Sequence, residues 1–237
     1  ISINCPSQSL RGLFSEILSK NPAPWASYLE IPGVNIASAS PELFLQRSGS
    51  TVKTSPIKGT QKLDEEGFGF KDTAENVMIV DLMRNDFGRV CEVGSVDVPK
   101  LFDVETYATV HQLVSTVRGK LTSAHTAIDA ILAAFPGGSM TGAPKQRAIE
   151  IIQALEQGNR GIYSGALGYI SPTGSAEFGM VIRTLVFRNG TATLGVGGGI
   201  TIDSDPRSEL EETKLKAKAL LRALGADDPW ANEADEF

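Results

Sequence analysis

Apolar positions recur along the chain in two different periods. Leu10, Leu13, Phe14, Ile17 and Leu18 return in steps of three and four, which predicts a helix over 7–20 with Ser7 as its cap and Pro22 and Pro24 closing it. Segments 27–31 and 34–39 flank Pro32-Gly33, and 43–46 and 51–54 flank Ser48-Gly49-Ser50, so each pair reads as a β-hairpin. A polar, glycine-containing loop over 61–70 leads to a helix over 72–84, with apolar bulk from Val77, Met78, Val80, Leu82 and Met83. The β-branched run 109–117 predicts a strand, and 123–135 and 145–156 predict helices on either side of a glycine-rich break at 136–144. Three strands follow at 165–170, 177–188 and 191–197, separated by Thr173-Gly174 and Asn189-Gly190, the latter a strong hairpin signal. A last helix over 206–223 begins on Pro206 and ends before Gly225, and an acidic tail, 226–237, follows it. Hairpins interleaved with long helices predict an α+β fold, and the absence of a Pro/Ser/Gly linker or a fixed repeat predicts one domain over 1–237.

Composition narrows the function more than the fold. The 237 residues are 41% hydrophobic with mean hydropathy −0.05, enough apolar content for a core. Twenty-two Lys and Arg against 28 Asp and Glu give a net charge of −6, which argues against nucleic acid or an anionic membrane as the main partner. No run approaches the roughly 18 apolar residues of a membrane span, and the N-terminus lacks a signal-peptide layout, so a cytoplasmic location is expected. The opening ISINC is strand-like and lacks Met, and a preceding segment is expected upstream of it. Two cysteines, Cys5 and Cys91, and two histidines, His111 and His125, cannot build a thiolate or multi-histidine metal site. Any divalent ion would rest on carboxylates, which favours magnesium over zinc.

Several stretches carry candidate chemistry. PGGSMTGAPK, 136–145, is glycine-rich, but Gly142 is followed by Ala-Pro-Lys-Gln, not by the Lys-Ser/Thr of a phosphate loop. Its small residues ahead of a helix fit either a backbone anion site or a tight turn. Glu209 and Glu212 share one helix face, as do Asp72 and Glu75 on another. Each pair fits a solvated first turn, Glu212 pairing with Lys216, or a share of a metal site. Lys58 lies on a turn entered through Pro56 and left through Gly59, ordinarily a surface lysine. Arg183 sits inside the apolar run MVIRTLVF, where an arginine ordinarily pairs with a carboxylate. His111 in a strand is ordinarily structural.

Read together, SPELFL (40–45), PIKGT (56–60), AENVMIVDLMRNDFGRV (74–90), VHQLVSTV (110–117), FPGGSMTGAPKQRAIEII (135–152), RGIYSGALGYIS (160–171), VIRT (181–184) and GGGITIDSDP…EL..ET resemble the chorismate-binding enzymes. The resemblance runs in order from about residue 34 to 222 and implies a four-layer α/β/β/α fold like that of anthranilate synthase component I. It implies magnesium held by Glu75 and Glu212, with Glu209 and Asp72 as outer neighbours. Arg183 and Tyr163 match contacts to the enolpyruvyl carboxylate, and Gly59, Ser139, Thr141, Gly198 and Gly199 lie in substrate loops. Lys58 matches a lysine that attacks C2 of chorismate and Glu42 an acid that assists departure of the C4 hydroxyl, giving 4-amino-4-deoxychorismate with ammonia from a glutamine amidotransferase partner. Lys58 carries the choice of reaction, since anthranilate-forming relatives have Ala in a PIAGT motif. A nucleophilic lysine must be neutral as it attacks, so burial or neighbouring positive charge is expected around it. Neither cysteine lies in a glutaminase context.

Two departures from the family pattern stand out. Gln112 occupies the place of a histidine that relatives carry before LVS, and His111, one residue away in a strand, faces the other side. Ser2 stands where the isochorismate- and salicylate-forming relatives have a lysine base. The portion that precedes this region in relatives is expected upstream of Ile1. The competing readings are another chorismate conversion, to anthranilate, isochorismate or salicylate, and a non-catalytic chorismate-binding fragment.

Overall fold

The computed structural model describes residues 1–4, 10–20, 22–64, 67–107 and 110–231. The expected Ser7 cap, Cys5, Thr109 and the end of the acidic tail lie outside these residues. The chain divides into two compact units, Ile1–Pro41 with Val181–Phe237, and Glu42–Met180.

The first unit is a five-stranded antiparallel sheet with two helices. Its strands run β1 (Ser2–Asn4), β12 (Thr191–Leu194), β11 (Thr184–Arg188), β3 (Val34–Ser40) and β2 (Trp25–Ile31), in that order across the sheet. The β2–β3 hairpin keeps a continuous register from Trp25↔Ser40 to Ile31↔Val34. The β11–β12 turn works because Asn189 and Gly190 both have positive φ, 50° and 76°, the geometry that matches strand twist. Helix α1 (Leu10–Lys20) contributes Leu13 and Ile17, and α5 (Pro206–Leu224) contributes Ala217, Leu220, Leu221 and Leu224, to a core shared with Ala37, Leu185, Phe187 and Leu194. Asp205 caps α5 by accepting from the Ser208 N–H, and Pro206 opens it, as the sequence predicts.

The second unit is a seven-stranded antiparallel sheet ordered β6 (Ile57–Lys62), β8 (Val110–Lys120), β5 (Thr51–Ser55), β4 (Leu43–Ser48), β10 (Ala176–Met180) and β9 (Ala166–Ile170), with β7 (Asp97–Thr106) also pairing β8. Helix α2 (Phe70–Gly88) buries Ile79, Met83 and Phe87, four residues apart on one stripe, together with Val80. Helices α3 (Ala127–Ala134) and α4 (Lys145–Leu155) flank a single 3₁₀ turn at Gly138–Met140. Phe44 and Phe135 meet edge to face at 6.4 Å between ring centroids.

Four expectations are corrected. The run 177–188 is two strands, β10 and β11, in different sheets, because the chain turns at 181–183 where Arg183 adopts φ 49°. Periodicity marks both halves as buried and is silent on which sheet receives each. The Lys58 turn is instead strand β6, whose register with β8 shifts between Ile57 and Thr60 as Gly59 takes φ 81°. Strand β7 is missing from the sequence prediction because Pro99 and two register shifts erase its alternation. The helix expected at 123–135 starts at Ala127, where Thr126 accepts from the Asp129 N–H and Asp129 in return accepts from the Thr126 N–H.

Candidate active site

Strand β6 and helix α2 bring Lys58 and Glu75 together in the second unit. Lys58 Nζ lies 3.7 Å from Glu75 Oε2, and both side chains are largely covered, at 15% and 13% exposure. Lys71, one turn earlier on α2, places its Nζ 3.7 Å from the other Glu75 oxygen. Lys58 is therefore largely covered and sits against a carboxylate, where the sequence argument expects burial or neighbouring positive charge. Lys58 Nζ also donates to the Ser139 carbonyl at 3.5 Å. The Ser139 hydroxyl in turn donates to Glu42 Oε1 at 2.5 Å, and Glu42 is only 5% exposed. Lys58, Glu75, Ser139 and Glu42 thus form one connected group, drawn from β6, α2, the 3₁₀ turn and the residue just before β4.

The scaffold around this group has specific causes. Asp72 accepts from the Gly69 N–H at 3.1 Å and closes the first turn of α2, which places its carboxylate at a helix cap. A Cβ on Gly59 would lie 2.7 Å from Phe68 Cδ1 and 3.0 Å from Asp72 Cγ, so only glycine fits there. Asn76, the residue after Glu75, is fully buried and accepts from the Ser115 hydroxyl on β8, locking that turn of α2 to the sheet. Thr141 turns its hydroxyl back to the Gly137 carbonyl at 3.0 Å. Arg160 donates to the Met140 carbonyl at 2.8 Å and to Ser164 Oγ at 3.1 Å while its other nitrogens grip Glu156, whose carboxyl that pairing holds below the usual range. The Arg160 guanidinium stands 5.9 Å from the Tyr163 ring centre, and burial raises the Tyr163 phenol. Lys145 is anchored elsewhere, donating to Asp86 Oδ2 at 2.7 Å and to the Ala134 carbonyl at 2.9 Å, which removes it as an anion-binding lysine of the loop.

The remaining candidates belong to the first unit. Glu209, in the first turn of α5, is 5% exposed and accepts from Ser204 Oγ at 2.6 Å. A Cβ on Gly198 would stand 3.0 Å from Glu209 Oε2, so the loop backbone passes directly over this carboxylate. Gly199 follows in the same stretch. Glu212 is half exposed and meets Lys216 at 2.7 Å, the i,i+4 pair expected of a solvated face. Arg183 occupies the left-handed bend between β10 and β11, and its carbonyl accepts from Ala39 N–H at 3.1 Å.

Donor chemistry suits a hard cation. Glu75 already attracts two ammonium groups, Glu209 and Glu212 offer oxygen only, and within either unit no three His, Cys, Asp or Glu of the described residues converge. Burial pushes the Cys91 thiol up to about 11, which leaves it a packing residue rather than a nucleophile. His111 Nδ1 pairs with Thr106 Oγ1 at 2.9 Å across β7 and β8, a structural contact, while Gln112 is 2% exposed. Asn76, Ser115, Asp86 and Arg160 were not singled out from sequence. The Asn76–Ser115, Asp86–Lys145 and Arg160–Met140 contacts span 39, 59 and 20 residues, beyond the reach of any local pattern.

Comparison with known proteins agrees with this architecture. The family described as chorismate binding enzyme matches residues 1–222, and the chain belongs to that family. The aminodeoxychorismate synthase of Streptomyces pristinaespiralis is 50% identical over 230 residues, covering 91% of this chain and 32% of that protein. Anthranilate synthase component 1 of Streptomyces coelicolor is 42% identical over 90% of this chain and 44% of its own. The crystal structure of anthranilate synthase component I from Streptococcus pneumoniae superposes with a TM-score of 0.84 at 36% identity, covering 92% of this chain and 50% of that one. The chain therefore spans half or less of the length of these relatives.

Proposed function

We propose that this chain is the chorismate-converting part of an aminodeoxychorismate synthase, replacing the C4 hydroxyl of chorismate by an amino group. The observation that carries the reading is Lys58, a covered amine linked through Ser139 to the buried acid Glu42. Lys58 Nζ, once deprotonated, bonds to C2 as the two conjugated ring double bonds each shift one position toward C4 and the C4–O bond breaks. Glu42 delivers the proton with which that oxygen leaves as water. Ammonia then bonds to C4, both double bonds return to their original positions, and the lysine nitrogen is expelled, so that the balance is chorismate plus ammonia to aminodeoxychorismate plus water. Arg183 and Tyr163 are assigned to the enolpyruvyl carboxylate, and Gly59, Ser139, Thr141, Gly198 and Gly199 to contacts with the rest of the substrate. Glu75 and Glu212, with Glu209 and Asp72 as outer neighbours, would hold magnesium, and the ion would supply positive charge to neutralise and orient a substrate carboxylate. Ammonia comes from a glutamine amidotransferase partner, and the reaction runs in the cytoplasm. No described helix is long and apolar enough to cross a membrane.

The test is chromatographic product analysis with chorismate, magnesium and ammonium. Aminodeoxychorismate is expected from the wild type. Lys58→Ala should bind chorismate within a few-fold of wild type yet lose on the order of a hundredfold or more of turnover, with no substrate adduct at residue 58 by intact mass. Anthranilate or salicylate with pyruvate release refutes the reaction. Aminodeoxychorismate formed at wild-type rate by Lys58→Ala refutes the covalent route alone.

A further inference from the structure

We propose that Ser139 is a positioning residue that fixes which oxygen of Glu42 carries the proton and holds that acid at a set spacing from Lys58, an inference that rests on the reading above. A serine hydroxyl has one hydrogen to give. Here it goes to Glu42 Oε1, so the acid proton of Glu42 belongs on Oε2. When Glu42 has delivered its proton, the same donor stabilises the carboxylate left behind, a stronger hydrogen bond than the one to the neutral acid. The backbone of the same residue serves the other partner, since its carbonyl accepts from Lys58 Nζ. One residue therefore contacts both acid and nucleophile.

The loop is built to keep Ser139 still. A Cβ on Gly138 would lie 3.0 Å from Leu82 Cδ2, and one on Gly137 would collide with the Met180 side chain, so the turn is pressed against α2 and β10. The Met140 N–H donates to the Gly137 carbonyl and the Thr141 N–H to that of Gly138. Arg160 also holds the Met140 carbonyl while Glu156 grips Arg160. The glycine-rich sequence is thereby explained by close packing around a fixed serine and needs no bound phosphate.

The experiment compares wild type, Ser139→Ala and Ser139→Thr in aminodeoxychorismate formation and in chorismate binding, the latter by calorimetry. Ser139→Ala should lower kcat about 10–100-fold, as loss of a group that orients or stabilises a reacting one does, with the chorismate Kd nearly unchanged. Ser139→Thr, which keeps the hydroxyl, should recover most of that loss. A Ser139→Ala variant with a raised Kd and intact kcat would make Ser139 a substrate contact and overturn the proposal. Equal activity of all three proteins would overturn it while leaving the reaction standing. Absence of aminodeoxychorismate from the wild type itself would take down the parent reading and this one with it.

Discussion

Replacing Lys145 with Met should destabilise the protein rather than weaken substrate binding. Lys145 ends in an ion pair with Asp86, whose side chain is 5% exposed against 16% for the lysine. Its removal leaves an enclosed carboxylate that has lost its hydrogen-bonded ammonium and keeps the weaker Coulombic pull of Arg89, a loss of about 3–5 kcal/mol for a buried pair broken on one side. At roughly 2–4 °C per kcal/mol for a chain of this length, the melting temperature should fall by about 6–20 °C. The sign of the pH dependence follows from Asp86. Burial raises its pKa above the ordinary carboxylate range, and the Lys145 hydrogen bond and charge oppose that rise. The folded state therefore holds this proton more readily than the unfolded state. Asp86 costs stability as pH climbs from the ordinary carboxylate range through its raised value. Without Lys145 the raised value moves higher still. The deficit of Lys145→Met should be small in acid, where Asp86 is protonated in both proteins, and largest at alkaline pH. Adding Asp86→Asn to Lys145→Met should recover much of the loss, because no buried charge remains. The assay is thermal denaturation followed by circular dichroism across pH, beside chorismate binding. Melting at pH 8 within about 2 °C of wild type, under 1 kcal/mol, with weakened chorismate binding would refute the structural role and make Lys145 a ligand contact.

Two further perturbations test the rest of the site. Glu75→Gln and Glu212→Gln should each raise the magnesium requirement about 10–100-fold, measured by activity against magnesium concentration and by calorimetric magnesium titration. Full turnover of wild type in excess chelator would remove the ion from the mechanism. Gly59→Ala should lower stability by about 1–3 kcal/mol, since φ 81° disfavours any side chain and its Cβ would crowd Phe68 and Asp72. A urea midpoint equal to that of wild type would show that β6 relaxes at no cost.

Much of the local structure was determined by sequence alone. Helix α5 is bounded by Asp205-Pro206 and Gly225, the β11–β12 turn is Asn-Gly, and the β2–β3 hairpin closes on Pro32-Gly33, all choices enforced by short-range sterics and hydrogen bonding. The connected residues Lys58, Glu42, Glu75 and Ser139 all lie in motifs that the sequence singles out, through resemblance rather than periodicity. Tertiary structure decided how those residues are used. Glu42 and Ser139 are 97 positions apart and Lys58 and Ser139 81, so their hydrogen bonds exist only because β4, β6 and the 3₁₀ turn meet in one unit. It also decided that 177–188 divides between two sheets, that Glu209 is buried while Glu212 meets Lys216 at the surface, and that Lys145 serves Asp86. Apolar periodicity records that a side chain is covered. It carries no information on which distant element covers it, and in this protein that choice links Glu42 to Lys58 through Ser139.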